Sequence, residues 1–530
     1  MFLNQVRQRA FFVGAARGQL VWPILAALVA FLLAWLPPLW GGLLLATLAV
    51  VLLVMIRPEA GLLLMLLAGP LGAVESAFLG NSPLDSGQFF FLLTVAAWTG
   101  RSLARKRLVI HQTPLNLPFA LFIGVGFLSL LWAPSRLLAV LELSKWLEIW
   151  LLMQIVLELG KGDGSGSRRW IWWVTGFLLI AGLSQALWGI WQFGLQGDGP
   201  EHFAILGGRF YRAYGSYQQP NPFGGFMHLN AGLALGALLG LLGLCGRAHF
   251  AWVGEAWREP GRNFRRLGKR IQLPELVRSL RRCVNEQGWL LLILGGTLFL
   301  LVAGLVASWS RGAWLGWAAG LAVLVLLLPR RSWQGIALFG LAGVGLLIIW
   351  QAGLIPPSLA ARLTSWTADF QLGDVRGVDI NDANFAVLER LAHWQAAIDM
   401  ARYNFWFGVG FGNYGPAYAE FALLNWVNPL GHAHNYYLNL LAEVGMTGFI
   451  AYAFLWLTVA YQTVRLIRRL DWPYRGLALG LMAAWSSLAV HHLLDKLYVN
   501  NIYLHLGVMF GLLMLLAGEQ KHGHYDSSSL

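Results

Sequence analysis

Residues 288–331 read GWLLLILGGTLFLLVAGLVASWSRGAWLGWAAGLAVLVLLLPRR. Two apolar runs of about 17–20 residues, each long enough to cross a bilayer as a helix, are parted by the turn SWSRG and closed by Arg330 and Arg331. So short a turn between two such runs makes a helical hairpin through a membrane. Read outward, the pattern recurs as about fourteen apolar segments. They lie near 20–36, 39–56, 60–75, 88–100, 116–133, 138–158, 170–193, 223–245, 288–308, 312–328, 334–353, 436–466, 475–493 and 501–517. The first pair, divided by Pro37 and Pro38, also reads as a re-entrant hairpin, and 88–100 is short for a span, so the count is about 12–14. Across 530 residues, 57% are hydrophobic and 12% charged. A soluble surface needs roughly twice that charge density. The expected fold is an all-α polytopic membrane protein. Soluble enzymes, nucleic-acid modules and disordered chains are excluded.

The net charge of +13 fits cytoplasmic loops beside anionic lipid, with no nucleic acid as partner. The connections alternate in character. One set carries Arg57, Arg101, Arg105, Lys161, Arg168, Arg330, Arg331, Arg465, Arg468 and Arg475. The other set is poor in cations. The positive-inside rule puts the basic set, and both termini, in the cytoplasm. The N-terminal stretch runs into a full-length span, so no cleaved signal peptide is expected. Cys245 and Cys283 alone make neither a disulfide framework nor a Cys-rich metal site. The basic cytoplasmic loop 247–287 reads as an amphipathic segment that binds membrane lipids. The external loop 354–433 is more acidic than basic, and Val387, Leu391, Trp394 and Ile398 in it follow helical spacing. Five regions result: N-terminal spans 1–200, a core 201–450 containing the loops 247–287 and 354–433, and C-terminal spans with a tail, 451–530.

A cation outside runs against the charge bias and so marks a candidate site. Arg311 lies in SWSRG beside Ser310 and Gly312. Arg390 borders the apolar face of the loop helix, with Glu389 pointing away. Arg212 precedes the eighth segment, which Asn221-Pro222 opens. His434, followed by Asn435, stands at the start of the twelfth segment, with Gly445 and Gly448 one helix face along. An imidazole titrating near neutrality suits a general base. His432 and His434 form an HxH pair, but without a placed carboxylate no metal is assigned. His491, His492 and Asp495 lie on the same external side, as interfacial polar residues or as lining of the same cavity. Arginine forks grip phosphate bidentately, so an external His beside such groups suits a donor held on a membrane lipid by a diphosphate. No nucleotide-binding or nucleophile-elbow motif occurs in a fitting context.

Four stretches carry a resemblance. They are His434-Asn435-x9-Gly445-x-x-Gly448, SRGAW at 310–314, RLAHWQAAIDMARYNFWFGVGFGNY at 390–414 and YGSYQQPNPFGG at 214–225. In this order they resemble the O-antigen ligase / Wzy-type O-antigen polymerase superfamily, which includes related protein oligosaccharyltransferases. The likeness covers roughly 210–450. It implies a GT-C-like helical bundle with a large periplasmic loop in the bacterial inner membrane. It implies a metal-independent, inverting glycosyltransferase with no cofactor. The donor would be an undecaprenyl-diphosphate-linked glycan, and the acceptor a glycolipid such as lipid A core, another glycan or a protein. By motif position the catalytic set is His434, Arg311 and Arg390. The substrate-binding set is Arg212, Asn221, Ser310 and Asn435. The complete HN-x9-GxxG motif favours a ligase of lipopolysaccharide assembly over a polymerase. A membrane transporter is the competing class; against it, the sequence shows neither an inverted repeat nor mid-span charges of the kind coupled transporters use.

Overall fold

The computed structural model describes residues 27, 30, 31, 35–80, 84–161, 166–256, 273–364, 374–381 and 384–522. The first apolar segment (20–36) lies almost wholly outside them, as do Asp369, Asp382, residues 257–272 of the basic loop and the tail from 523. The chain is all-α and polytopic. Its helices are α1 (Pro38–Ile56), α2 (Pro58–Ala68), α3 (Gly72–Leu79), α4 (Ser86–Ala104), α5 (Asn116–Leu128), α6 (Arg136–Gly160), α7 (Gly166–Gly194), α8 (Pro220–Ala256), α9 (Leu273–Ala307), α10 (Arg311–Leu327), α11 (Ser332–Gln351), α12 (Pro357–Thr364), α13 (Phe385–Tyr403), α14 (Tyr414–Phe421), α15 (Tyr436–Arg469), α16 (Tyr474–His491) and α17 (Ile502–His522). Every apolar segment after the first coincides with a helix or a consecutive helix run. Among the described residues, eight helices are long and apolar enough to cross a membrane, and 116–131 and 311–327 are shorter apolar helices. Residues 247–256 and 273–287, expected as loop, extend α8 and α9. A two-stranded hairpin (Ala204–Ile205 with Phe210–Tyr211) is the one sheet among the described residues.

The chain divides into two units. One comprises residues 1–62 and 91–107, in which Gly61 lets Thr94 pack against α2. The other comprises 63–90 and 108–530 and contains every candidate residue. Its central element is α16, clasped through glycine. A Cβ on Gly236 of α8 would stand 2.5 Å from the Gly476 carbonyl and the Gly480 Cα, and one on Gly240 2.6 Å from the Pro473 carbonyl. On the other flank, Gly316 and Gly320 of α10 would each meet an α16 carbonyl, of Ser487 and Ala483, at 2.6 Å. Small residues four apart let membrane helices approach backbone to backbone, where dispersion and not water exclusion holds them.

The cation-poor connections meet at one end of this unit. Arg212 Nε donates to the Ser308 carbonyl at 3.0 Å, and the Tyr436 N–H to the His492 carbonyl at 2.8 Å. At the other end Arg330 pairs with Asp471 at 2.9 Å, and Arg475 Nη2 donates to the Leu328 carbonyl at 2.7 Å.

Helix α15 is broken rather than continuous. Gly445 takes φ 61°, ψ −165°, so Gly445 and Gly448 do not continue one helix face from His434. The freed backbone groups are taken up by the Gly-rich segment before α14. Val409 and Gly410 N–H donate to the Ala442 and Glu443 carbonyls at 2.8 Å each, and Met446 N–H to the Phe405 carbonyl at 2.8 Å. Buried backbone needs such replacement partners wherever a spanning helix is interrupted. The first and third motifs of the sequence thus interlock, Gly408 against the Glu443 backbone and Gly445 against Trp406.

Candidate active site

Arg212, Arg311 and Arg390 come from three separate stretches and line one cavity of about 480 Å³ with Asn221, Ser310 and Asn435. That volume lies within the ~300–1,000 Å³ of organic-ligand sites. Ser310 is the N-cap of α10, its Oγ accepting from Ala313 N–H at 3.4 Å, which sets Arg311 on the first turn. Ser310 Oγ also donates to Asn221 Oδ1 at 2.9 Å. Asn221 is a hub: Oδ1 also accepts from Arg212 Nη2 at 3.2 Å, and Nδ2 donates to Asp495 Oδ2 at 2.8 Å. Asn435 caps α15, its Oδ1 accepting from Tyr437 and Leu438 N–H at 3.0 and 3.2 Å. These polar residues brace the cations and the helix starts.

Helix α13 presents Arg390, Val387, Leu391 and Trp394 to the cavity. Its buried side is Leu388, Leu391, Ala392, Ala396 and Ala397, whereas Ile398 is 36% exposed and Glu389 only partly so. The packed face is therefore turned from the one the bulky residues suggest, because three alanines permit closer packing. Trp406 is 57% exposed, whereas Trp426 is 8% exposed and belongs to the core beside Leu388 and Leu391.

A fourth cation, Arg362 of α12, lines the same cavity and was not singled out from the sequence. Burial first, then Arg362, Arg390 and Arg311, push the Arg212 guanidinium down to about 9, against a raising effect of Asp495. Burial, then Arg311 and Arg390, bring Arg362 to about 10. Arginines that depress one another make a site for anions.

His434 does not line this cavity; it stands beside it. Its Nδ1 is buried and lies 4.0 Å from Asp495 Oδ1, and Asp495 reaches the cavity through Asn221. His432 Nε2 is 3.9 Å from the same oxygen. His434 holds φ 51°, a strained conformation for a non-glycine residue. Burial, then His432, lower the His434 imidazole below its ordinary range; Asp495 opposes and Arg390 adds to the shift. The ring is therefore neutral at pH 7, as a base must be. Burial would raise the Asp495 carboxyl, but His432, His434, His491 and the Lys496 N–H hold it below the usual carboxylate range. The loop bearing Asp495 is anchored next door, where Lys496 Nζ meets Glu142 Oε1 at 3.1 Å and Lys145 Nζ meets Glu142 Oε2 at 2.7 Å.

His432, His434 and Asp495 have ligand atoms within 4.8 Å of one another, the carboxylate that the HxH pair lacked in sequence. Their hydrogen bonding disfavours a metal. His434 N–H donates to His432 Nδ1 at 3.1 Å. Neutral His432 therefore carries its proton on Nε2, the atom facing Asp495. A ligating imidazole instead donates from its outer nitrogen.

Residues 296–453 match the O-antigen ligase family model, Wzy_C. The matched stretch covers less than a third of the chain and supports an O-antigen ligase-type family. At that coarse level it is similar to membrane glycan transferases of polysaccharide biosynthesis. The matched stretch spans Arg311, Arg362, Arg390, His432 and His434, and leaves Arg212, Asn221 and Asp495 on its flanks. No curated protein matches the chain.

Proposed function

We propose that the protein transfers a glycan from an undecaprenyl-diphosphate carrier to an acceptor hydroxyl at the outer face of the bacterial inner membrane. The reading is ligase-like, with polymerase and protein oligosaccharyltransferase as the neighbouring options. What carries it is the meeting of Arg311 and Arg390 on one cavity beside the His434–Asp495 pair. With Asp495 facing Nδ1, a proton there leaves Nε2 of His434 as the base. The acceptor oxygen attacks the anomeric carbon and His434 takes its proton. The bond from that carbon to the diphosphate oxygen breaks, and the diphosphate leaves on its lipid. One in-line displacement inverts the anomeric centre. Arg311 and Arg390 meet the charge that develops on the leaving group, which speeds the step because they bind it more strongly than the ground state.

The test is glycan transfer in reconstituted membranes, with a purified undecaprenyl-diphosphate glycan and each acceptor in turn. Correctly inserted His434→Ala, Arg311→Ala and Arg390→Ala are each expected to lose transfer by about 10²–10⁴-fold. Transfer that survives in His434→Ala would remove the base from the reading. Uptake of a solute in place of transfer would favour a transporter.

A further inference from the structure

Arg212 and Arg362 are mounted side by side. Arg212 Nε donates to the Ser308 carbonyl at 3.0 Å, and Arg362 Nη2 to the next carbonyl, Trp309, at 3.2 Å. Both therefore rest on the turn that precedes Arg311, and both line its cavity. Arg362 Nε is buried and has no hydrogen-bond partner. Two guanidinium groups on adjacent carbonyls are a poor device for bracing a turn. A neutral amide would satisfy a carbonyl without bringing like charges together or burying them. The charge count points the same way. A diphosphate esterified at both ends carries about two negative charges, enough for Arg311 and Arg390. Asp495, the carboxylate that acts on Arg212, already receives Asn221 and faces two histidines.

We propose that Arg212 and Arg362 form a second anion subsite, which takes a phosphate group on the acceptor while Arg311 and Arg390 hold the donor's diphosphate. The inference rests on the transferase reading for its acceptor and on the cavity geometry for its chemistry. A lipid-linked diphosphate and a phosphorylated glycolipid both offer the required group.

Titration calorimetry of inorganic diphosphate into the full-length protein in nanodiscs reads the subsite without any transfer. Wild type is expected to bind a first and a second equivalent. Arg362→Gln should bind only the first, and Arg362→Lys should regain the second more weakly. Arg376→Gln, at an exposed pair with Asp374, should match wild type. Thermal unfolding checks that each variant is folded. A single equivalent in wild type, unchanged in Arg362→Gln, overturns the subsite. In the transfer assay, Arg362→Gln should raise KM for the phosphate-bearing acceptor by about tenfold or more and leave donor KM within about twofold. A rise in donor KM alone returns Arg362 to the donor clamp and overturns the proposal. Each acceptor is paired with a counterpart lacking its phosphates. The acceptor whose phosphate removal erases the difference between wild type and Arg362→Gln is the one the subsite reads. Removal that changes nothing for either also overturns it. Two bound equivalents with no transfer to any acceptor would sink the transferase reading and leave the subsite standing.

Discussion

His434 owes its candidacy to its surroundings, and those surroundings predict its titration. Burial, His432 and Arg390 all lower the imidazole, and Asp495 alone raises it. A base works when neutral, so transfer is expected to stay level through pH 7 and to fall only below the ordinary imidazole value of 6.5. In Asp495→Asn the raising influence is gone. The acid limb should then move further down while the plateau drops by about 10–10³-fold, because Nδ1 loses the carboxylate it faces at 4.0 Å, whose charge favours the imidazolium formed in the step. Rate profiles of wild type and Asp495→Asn in the same membranes decide it; a limb above 6.5, or one that moves up in the variant, contradicts the assignment. The sequence offered His434 through its motif, and Asp495 only as one polar residue among several on the same side. It offered Asn221 as well, but not the bonds by which Asn221 joins Asp495 to Ser310 and Arg212. Contacts between groups 9, 89 and 274 residues apart leave no signature in the sequence. Arg362 escaped for the same reason, since nothing in its own helix says which carbonyl it will reach.

At the scale of elements, the glycine motif changes meaning once the helix is seen to break. Gly445 and Gly448 were legible as a spacing, but the spacing suggests a helix face, whereas Gly445 has φ 61°. Its role is to admit the backbone of residues 405–410, whose own glycines Gly408 and Gly410 also take positive φ. That insertion joins the segment after α13 to the helix that His434 precedes, and so ties Arg390 and His434 into one frame. Gly445→Ala faces both an unfavourable backbone conformation and a Cβ against Trp406 and Phe407. It is expected to destabilise the protein by about 2 kcal/mol or more, read by thermal unfolding in detergent. Gly343→Ala, where no atom lies within 4 Å of the added carbon, is the matched control and should be nearly neutral. Equal melting of the two variants would mean that the break does not constrain the fold.

On the scale of the whole molecule, apolar length fixed where the helices lie, because a bilayer sets that length for every span alike. Packing order was not readable, since it depends on glycine surfaces such as Gly236 against Gly476, and these reveal no partner in sequence. The same holds for the buried charges that moor the site to the bundle. Lys496 adjoins Asp495 and meets Glu142 of α6, which also takes Lys145. Lys496 is 7% exposed and Glu142 5%, so neither charge can turn to water when its partner goes. Glu142→Gln should therefore cost about 3–5 kcal/mol by leaving the Lys496 charge buried without its ion-pair partner, and Lys496→Met should cost less, because Lys145 still meets Glu142. Glu142→Gln with Lys496→Met removes both charges, and its loss should be smaller than the sum of the two single losses. Transfer should follow a different order. The double variant recovers stability but not the tether on the Asp495 loop, so its turnover stays low while its melting rises. Strict additivity in melting would show that the pair does not interact. Full recovery of turnover in the double variant would show that the loop holds Asp495 in place without the charge pair.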